Sequence, residues 1–183
     1  MTGAPELQTP RLRLRRWRAE DREPFARMNN DPVVMRYFPA PMTPEETDAS
    51  IARIEESLEQ RGFGLWAVEI TGFAPFAGFV GLNVPRFESH FTPCVEIGWR
   101  LSREFWHRGY ATEGARAALT FGFDTLGLNE IVSFTAPSNA ASRRVMEKIG
   151  MRRNPDDDFD HPLVPEGHPI RRHVLYRALR NDR

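Results

Sequence analysis

The segment Val95 to Phe123, VEIGWRLSREFWHRGYATEGARAALTFGF, restricts the fold more than any other part of the chain. A strand through Ile97, Trp99 and Leu101 runs into a loop, Trp106-His107-Arg108-Gly109-Tyr110-Ala111, and Thr112 continues into an amphipathic helix from about Tyr110 to Leu126. A loop that ends in a helix N-terminus presents unpaired backbone N–H groups and the positive end of the helix dipole. Gly109 lets a phosphate approach the backbone, the small Ala111 keeps the first turn clear, and Arg100, Arg103, His107 and Arg108 add positive charge. A diphosphate is the kind of ligand this cradle suits, although spacing alone also allows Gly109 to be an ordinary helix-entry glycine. Two rival phosphate motifs fail. Gly109 to Ala115 mimics the P-loop spacing but has Ala115 where the phosphate-binding lysine must stand and Arg116 in place of the metal-binding hydroxyl. The three-glycine dinucleotide pattern is broken after Gly62 and Gly64 by Leu65-Trp66-Ala67.

The flanking sequence supplies the rest of an α/β domain. Leu12 and Leu14 alternate with Arg11, Arg13 and Arg15, which predicts a half-buried strand with a wet, basic outer face. Asp21 is expected to cap a helix to about Asn29, closed by Asp31-Pro32. Thr43 as cap, Pro44 at the first helical position and Glu46 as the capping-box acid open a second helix to Gln60, with Gly62 as its stop. Strands Phe63 to Ile70 and Phe76 to Asn83 form a hairpin about Thr71 to Pro75. Further strands are expected at Cys94 to Leu101, Glu130 to Ala136 and Ile170 to Ala178, with a helix at Asn139 to Ile149. Met151 to Pro169 reads as a long surface loop with one short strand at its start. This order lets helices cover both faces of one mixed sheet. A chain of 183 residues, 40% of them hydrophobic, suits one domain over 1–183.

The stretch EIGWRLSREFWHRGYATEGARAALTFGF resembles the acetyl-CoA-binding motif of GNAT N-acetyltransferases, and NAASRRVMEKIGM, Asn139 to Met151, resembles their second signature. With LQTPRLRLRRW at the start and HVLYRAL at the end, the resemblance spans essentially the whole chain, and its branch is similar to the ribosomal-protein N-terminal acetyltransferases. It implies a mixed, mostly antiparallel sheet of about six to seven strands, splayed between the fourth and fifth. It implies acetyl-CoA as co-substrate and direct attack of an amine on the thioester without an acyl-enzyme. The cofactor would be held by Ile97, Trp99 and Leu101 on the splayed strand, by His107, Arg108, Gly109, Tyr110, Ala111 and Thr112 in the loop, and by Asn139 and Ser142. Trp106 departs from the family's usual Arg or Gln at the head of the loop. Met146 stands where many relatives carry a proton-donating tyrosine, so Ser142 becomes the candidate acid.

Glu96 is the candidate base, since a partly buried carboxylate on the cofactor strand can have its pKa raised toward neutrality; a plain arginine partner is the other reading. Cys94, without a placed base, reads as a small buried hydrophobe. Tyr37 and Phe38 lie where relatives shape the acceptor pocket, or else they pin the second helix to the sheet. The acidic loop around Asp160 is a candidate attractor of a cationic amine or basic peptide, and its Asp and His residues match no metal-site spacing. Zero formal net charge gives no reason to expect a nucleic-acid or membrane partner, and a single cysteine without an apolar leader points to the cytoplasm. The aromatic stretch Phe87 to Phe91 suggests either a homodimer interface or a hairpin tip. At pH 7 an α-amine is about 14% neutral and a lysine-like amine about 0.04%. That difference, about 3.4 kcal/mol, suits a modest base to a peptide N-terminus. A small-molecule amine and a silent acyl-CoA-binding module are the alternatives.

Overall fold

The computed structural model describes residues 3–182; Met1, Thr2 and Arg183 of the expected domain lie outside the described residues. In chain order it contains β1 (Leu7–Gln8), β2 (Leu12–Arg15), α1 (Arg22–Asn30), α2 (Pro44–Gln60), β3 (Leu65–Ile70), β4 (Ala74–Asn83), β5 (Glu96–Leu101), α3 (Tyr110–Thr120), β6 (Glu130–Thr135), α4 (Ala140–Lys148), β7 (Arg152–Arg153), β8 (Phe159–Asp160) and β9 (Arg172–Leu179). The sheet order is β1-β2-β3-β4-β5-β6-β9-β7, with β8 also pairing β9. Every pairing is antiparallel except β5 with β6. The six longer strands expected from sequence are present, as is the short strand expected at the start of the Met151 loop, β7; β1 and β8, also of two residues, bring the described strands to nine.

Register decides which side chains meet which layer, because residues directly opposite in a ladder share a face. Phe79 pairs Arg100, Val80 pairs Trp99, Leu82 pairs Ile97 and Asn83 pairs Glu96. Phe79 packs edge-on against Phe25 of α1 at 6.0 Å. Val80 turns the other way, so near to Gly114 of α3 that a Cβ there would lie 3.3 Å from it. Ile97 and Trp99 therefore face α3, while Glu96, Gly98 and Arg100 face the α1–α2 layer. This partition divides the site into two sides.

The core fills both layers. Leu12, Leu14, Leu58 and Trp66 are fully buried, each contributing about 1.5–3 kcal/mol relative to exposure. The indole N–H of Trp66 donates to Pro5 O at 2.9 Å and that of Trp17 to Leu65 O at 2.8 Å, so neither aromatic buries an unmet donor. At the start of α2 the capping box forms as expected: Thr43 Oγ1 accepts from the Glu46 N–H at 3.2 Å and Glu46 Oε2 from the Thr43 N–H at 2.8 Å. The helix expected to run from Tyr110 to Leu126 leaves α geometry after Thr120 and finishes in a π turn, Phe121–Thr125.

Two expectations need correction. Arg15 does not belong to a wet face: it is 1% exposed, and its guanidinium donates to both oxygens of Asp21 at 2.7 and 2.8 Å and to Glu69 at 2.9 Å. Asp21 correspondingly makes no side-chain cap for α1, since its carboxylate is taken by Arg15 and by the Arg18 N–H at 2.8 Å. A charge that alternation places outside is drawn inside because two carboxylates satisfy it. Removing one partner leaves the other uncompensated, so Asp21→Ala should lower stability by about 3–5 kcal/mol. Urea denaturation would register the loss as a drop in midpoint.

Candidate active site

The sheet parts at β5 and β6, its only parallel junction among the described residues. β5 and β6 share one bridge, Glu96 with Val132, where the Val132 N–H donates to Val95 O at 2.9 Å. One residue on, the strands are linked only through the Ser133 hydroxyl, which donates to Ile97 O at 2.9 Å. By the alternation of a strand, odd-numbered backbone groups of β5 point into the gap. The Leu101 carbonyl is occupied, accepting from the Trp106 indole N–H at 2.7 Å. Of the three expected cofactor-strand residues, Trp99 thus presents both its N–H and C=O to the gap, Leu101 its N–H, and Ile97 has its carbonyl filled. Trp106 has a structural task at the position where relatives carry Arg or Gln.

The loop expected to cradle a phosphate follows the end of this strand. His107 and Gly109 both have positive φ, 60° and 81°, which turns the loop sharply before α3. The first helical bond of α3 is Glu113 N–H to Gly109 O at 3.0 Å, so among the described residues the N–H groups of His107, Arg108, Gly109, Tyr110, Ala111 and Thr112 have no acceptor. Beside them, with Arg108 of the loop, lies an arginine that sequence reasoning did not place there. Arg11 lies 4.7 Å over the Tyr110 ring, donates to Arg108 O at 3.1 Å, and pairs with Glu113 at 2.6 Å. Despite its desolvation, hydrogen bonds from Thr9 and Arg11 hold Glu113 below its ordinary pKa, and Arg11 neutralises the one acid in the first turn. Arg100, expected near the phosphates, faces the opposite layer.

On the α3–α4 side, Asn139 caps α4: its Oδ1 accepts from the Ser142 N–H at 3.3 Å and its Nδ2 donates to Thr135 Oγ1 at 2.9 Å. The cap joins the start of α4 to the end of β6, and one amide hydrogen of Asn139 stays available. Ser142 is half-buried with an uncommitted hydroxyl, and Met146, one turn on, is buried in the core. Tyr176 does not stand in for the missing tyrosine, since its hydroxyl is held between Glu147 at 3.1 Å and Arg143 at 3.3 Å.

The other side opens into a cleft of about 590 Å³. Its lining includes Glu96, Asn83, Phe87, Phe134 and His161. Burial pushes the Glu96 carboxyl up to about 7 from its ordinary 4.5, although a hydrogen bond from Asn83 works the other way. Beside it a Cβ built on Gly98 would meet only Glu96 Oε1, at 3.9 Å, so the strand leaves a small space next to the carboxyl. Tyr37 and Phe38 bridge the wider end of the parting. Tyr37 donates to Ser138 O, beyond β6, at 3.1 Å, while Phe38 lies 4.1 Å over the guanidinium of Arg100 on β5. Arg100 donates to Asn29 Oδ1 at 2.6 Å, its Nε is buried without a partner, and burial lowers its pKa to about 10.

The cleft wall was not legible in sequence. Phe87 and Phe91 fold inward onto Phe134 and Phe159, so these two rings of the stretch pack within the chain. Burial and the neighbouring His173 push His161 down to about 4, which keeps its ring neutral. Its Nδ1 accepts from the Leu163 N–H at 3.2 Å, leaving the proton on Nε2. Asp160 is paired with Arg172 at 3.3 Å and with Arg171 at 3.9 Å, Asp157 with Arg177 at 2.9 Å, and Asp158 with Arg153. Three acids of this loop are thereby paired within the chain. No group of acidic, His or Cys side chains able to hold a metal occurs among the described residues. Burial and the nearby Glu96 push the Cys94 thiol up to about 11, which leaves it a poor nucleophile.

Comparison with known proteins identifies this architecture. The profile described as "Acetyltransferase (GNAT) domain" matches residues 11–152. The chain belongs to the GNAT acetyltransferase family. It is 37% identical over 156 residues to the FsC-acetyl coenzyme A-N(2)-transacetylase of Aspergillus fumigatus, covering 80% of this chain and 65% of that protein. It is 28% identical over 179 residues to the uncharacterized N-acetyltransferase YnaD of Bacillus subtilis, covering 96% and 98%. A GNAT-family acetyltransferase from Bacillus anthracis superposes with a TM-score of 0.78 at 29% identity, over 97% of this chain and 99% of that one.

GNAT enzymes use acetyl-CoA, and the residues present fit it. The run of open N–H groups before α3 suits a diphosphate, and Gly109 leaves that approach clear. A side chain on Gly109 would stand in the cradle 3.4 Å from Arg11 Nη2, at a φ that a β-branched residue does not tolerate. Gly109→Val is expected to weaken acetyl-CoA binding about 100-fold in a calorimetric titration. Trp106→Phe, which strips the Leu101 carbonyl of its donor, should cost about 1–3 kcal/mol of stability, read as a lower melting temperature.

Proposed function

We propose that this GNAT protein transfers the acetyl group of acetyl-CoA to a primary amine in the cleft by direct attack, with both substrates bound together. The observation that carries this reading is a buried carboxyl with its pKa near neutrality, at the floor of an open cleft and beside the parted strands. Acetyl-CoA supplies the activated acyl group. Glu96, ionised above about pH 7, removes a proton from the ammonium of the acceptor, directly or through one water. The Trp99 N–H is the oriented donor for the developing oxyanion. Ser142, with its uncommitted hydroxyl across the parting, is the candidate proton source for the departing thiolate. His107, Arg108, Gly109, Tyr110, Ala111 and Thr112 hold the diphosphate, and Asn139 offers its remaining amide hydrogen to the pantetheine. Tyr37 and Phe38 bound the acceptor.

An α-amine of a peptide N-terminus, as in the ribosomal-protein N-terminal acetyltransferases, fits a single modest base better than a lysine-like amine does. A second reading, a small-molecule amine, is favoured by the relative named as an FsC N(2)-transacetylase. An open cleft with Glu96 at its floor speaks against a silent acyl-CoA-binding module. A cytoplasmic setting agrees with one half-buried, unpaired cysteine, and no helix among the described residues is long and apolar enough to cross a membrane.

Thiol release from acetyl-CoA across peptide and small-amine acceptors tests the transfer; binding without release from any of them would overturn it. Glu96 must be ionised to act, so kcat should fall as pH drops through about 7. Glu96→Gln should lower kcat about 100-fold and remove that limb while acetyl-CoA affinity holds. The stability sign is opposite. The folded carboxyl keeps its proton up to about 7 whereas the unfolded one releases it near 4.5, so Glu96 costs stability as pH rises across that window. Melting temperatures of Glu96→Gln and the parent should therefore differ in pH slope between pH 5 and 8, the variant losing less on going up.

A further inference from the structure

The mouth of the cleft carries Arg53 and Arg61 from the α2 side and Arg86 from the loop after β4, all three exposed. Among the described residues none of their guanidinium groups makes a hydrogen bond or ion pair with the protein. Glu56 is the one other acid on the lining besides Glu96, and Glu96 holds its proton to about 7. Deeper on the same face of β5, Arg100 also lacks a carboxylate partner. Arg103, Arg108 and Arg144 likewise lack a carboxylate, but they do not line this cleft. Arg11, Arg13, Arg16, Arg22, Arg153 and Arg177 are each bound to a carboxylate. Asp157, Asp158 and Asp160 of the loop before β9, where sequence suggested a cation attractor, are paired with arginines of the same chain.

We infer that the acceptor is an anionic amine, carrying a carboxylate or phosphate that Arg53, Arg61 and Arg86 bind while its amino group lies at Glu96. The inference rests on the transferase reading and names its substrate class. Guanidinium groups match both anions in a bidentate geometry, and several of one sign around a low-dielectric cleft steer anions in and keep polyamines out. The same field favours the neutral form of the reacting amine, which is the form that attacks. The neutral ring of His161 and the faces of Phe87 and Phe134 add an apolar wall between the anion site and the carboxyl.

The test compares acceptors of different charge: the amidated tripeptides Ser-Ala-Ala, Ser-Asp-Asp and Ser-Lys-Lys, and ethanolamine against phosphoethanolamine. Thiol release should give a KM roughly tenfold lower for the anionic member of a set, and the advantage should shrink in 1 M salt. Which set shows it separates a carboxylate-bearing peptide from a phosphate-bearing small molecule. In a combined Arg53→Gln, Arg61→Gln, Arg86→Gln variant the advantage should vanish while acetyl-CoA affinity by calorimetry is kept, and lysine at the three positions should restore part of it. Equal or better use of neutral or cationic acceptors, or an anionic preference that survives the triple substitution, overturns the inference. Calorimetric titration of Ser-Asp-Asp and phosphoethanolamine into the CoA-bound protein separates the two levels. Arginine-dependent binding without turnover sinks the transferase reading and keeps the anion site; no binding of either, and no turnover, sinks the site.

Discussion

Everything functional in this protein depends on two parallel strands that separate after one bridge. A sheet is held by its ladder, and leaving a ladder unformed in the interior exposes backbone groups at a cost of about 1–3 kcal/mol each. Here the cost is contained because the exposed groups are few. Ser133 fills the Ile97 carbonyl and the Trp106 indole fills the Leu101 carbonyl, so the opening is left mainly to Trp99. The neighbouring ladders, β4 with β5 and β6 with β9, are each paired over six residues and keep the parted strands rigid.

The parting also gives each face of the sheet a separate chemistry. On the α3 side lie the helix N-terminus with Arg11 and, further along, the Asn139 cap and Ser142, a surface suited to a long anionic cofactor. On the α1–α2 side lie Glu96, the space over Gly98 and an aromatic wall, a surface suited to an amine. A carboxyl buried beside phosphates would be repelled further and lose its use as a base. Burying it one residue out of phase, on the opposite face of the same strand, keeps it at a useful pKa. On the proposed function, the two-residue period of β5 sorts cofactor groups from acceptor groups.

The sequence carried the parts of this arrangement that depend on local rules. The capping box at Thr43, the strand alternation around Ile97 and the glycine entry to α3 each follow from a few adjacent residues, and each is present. What it did not carry depends on contacts distant in the chain. Arg15 was read as exposed because alternation cannot see Asp21 and Glu69 converging on it. Arg11 enters the phosphate region because Glu113, a hundred residues away, draws it there. The loop before β9 looked like a free acidic patch, yet β8 folds back onto β9 and brings Asp160 opposite Arg172. Phe87 and His161 meet across the cleft, with ring centroids 4.5 Å apart, only through that same fold-back.

The loop before α3 is made of main-chain donors, and this explains how it can differ in letters from its relatives. What the loop must preserve is a path: two residues turned to positive φ, a run of N–H groups left open, and an anchor for the strand end. Trp106 supplies that anchor by a different chemistry from the Arg or Gln common at its position. Substitutions there are filtered by whether the backbone can still take the turn, so the same pocket can persist while sequence identity drifts below one third.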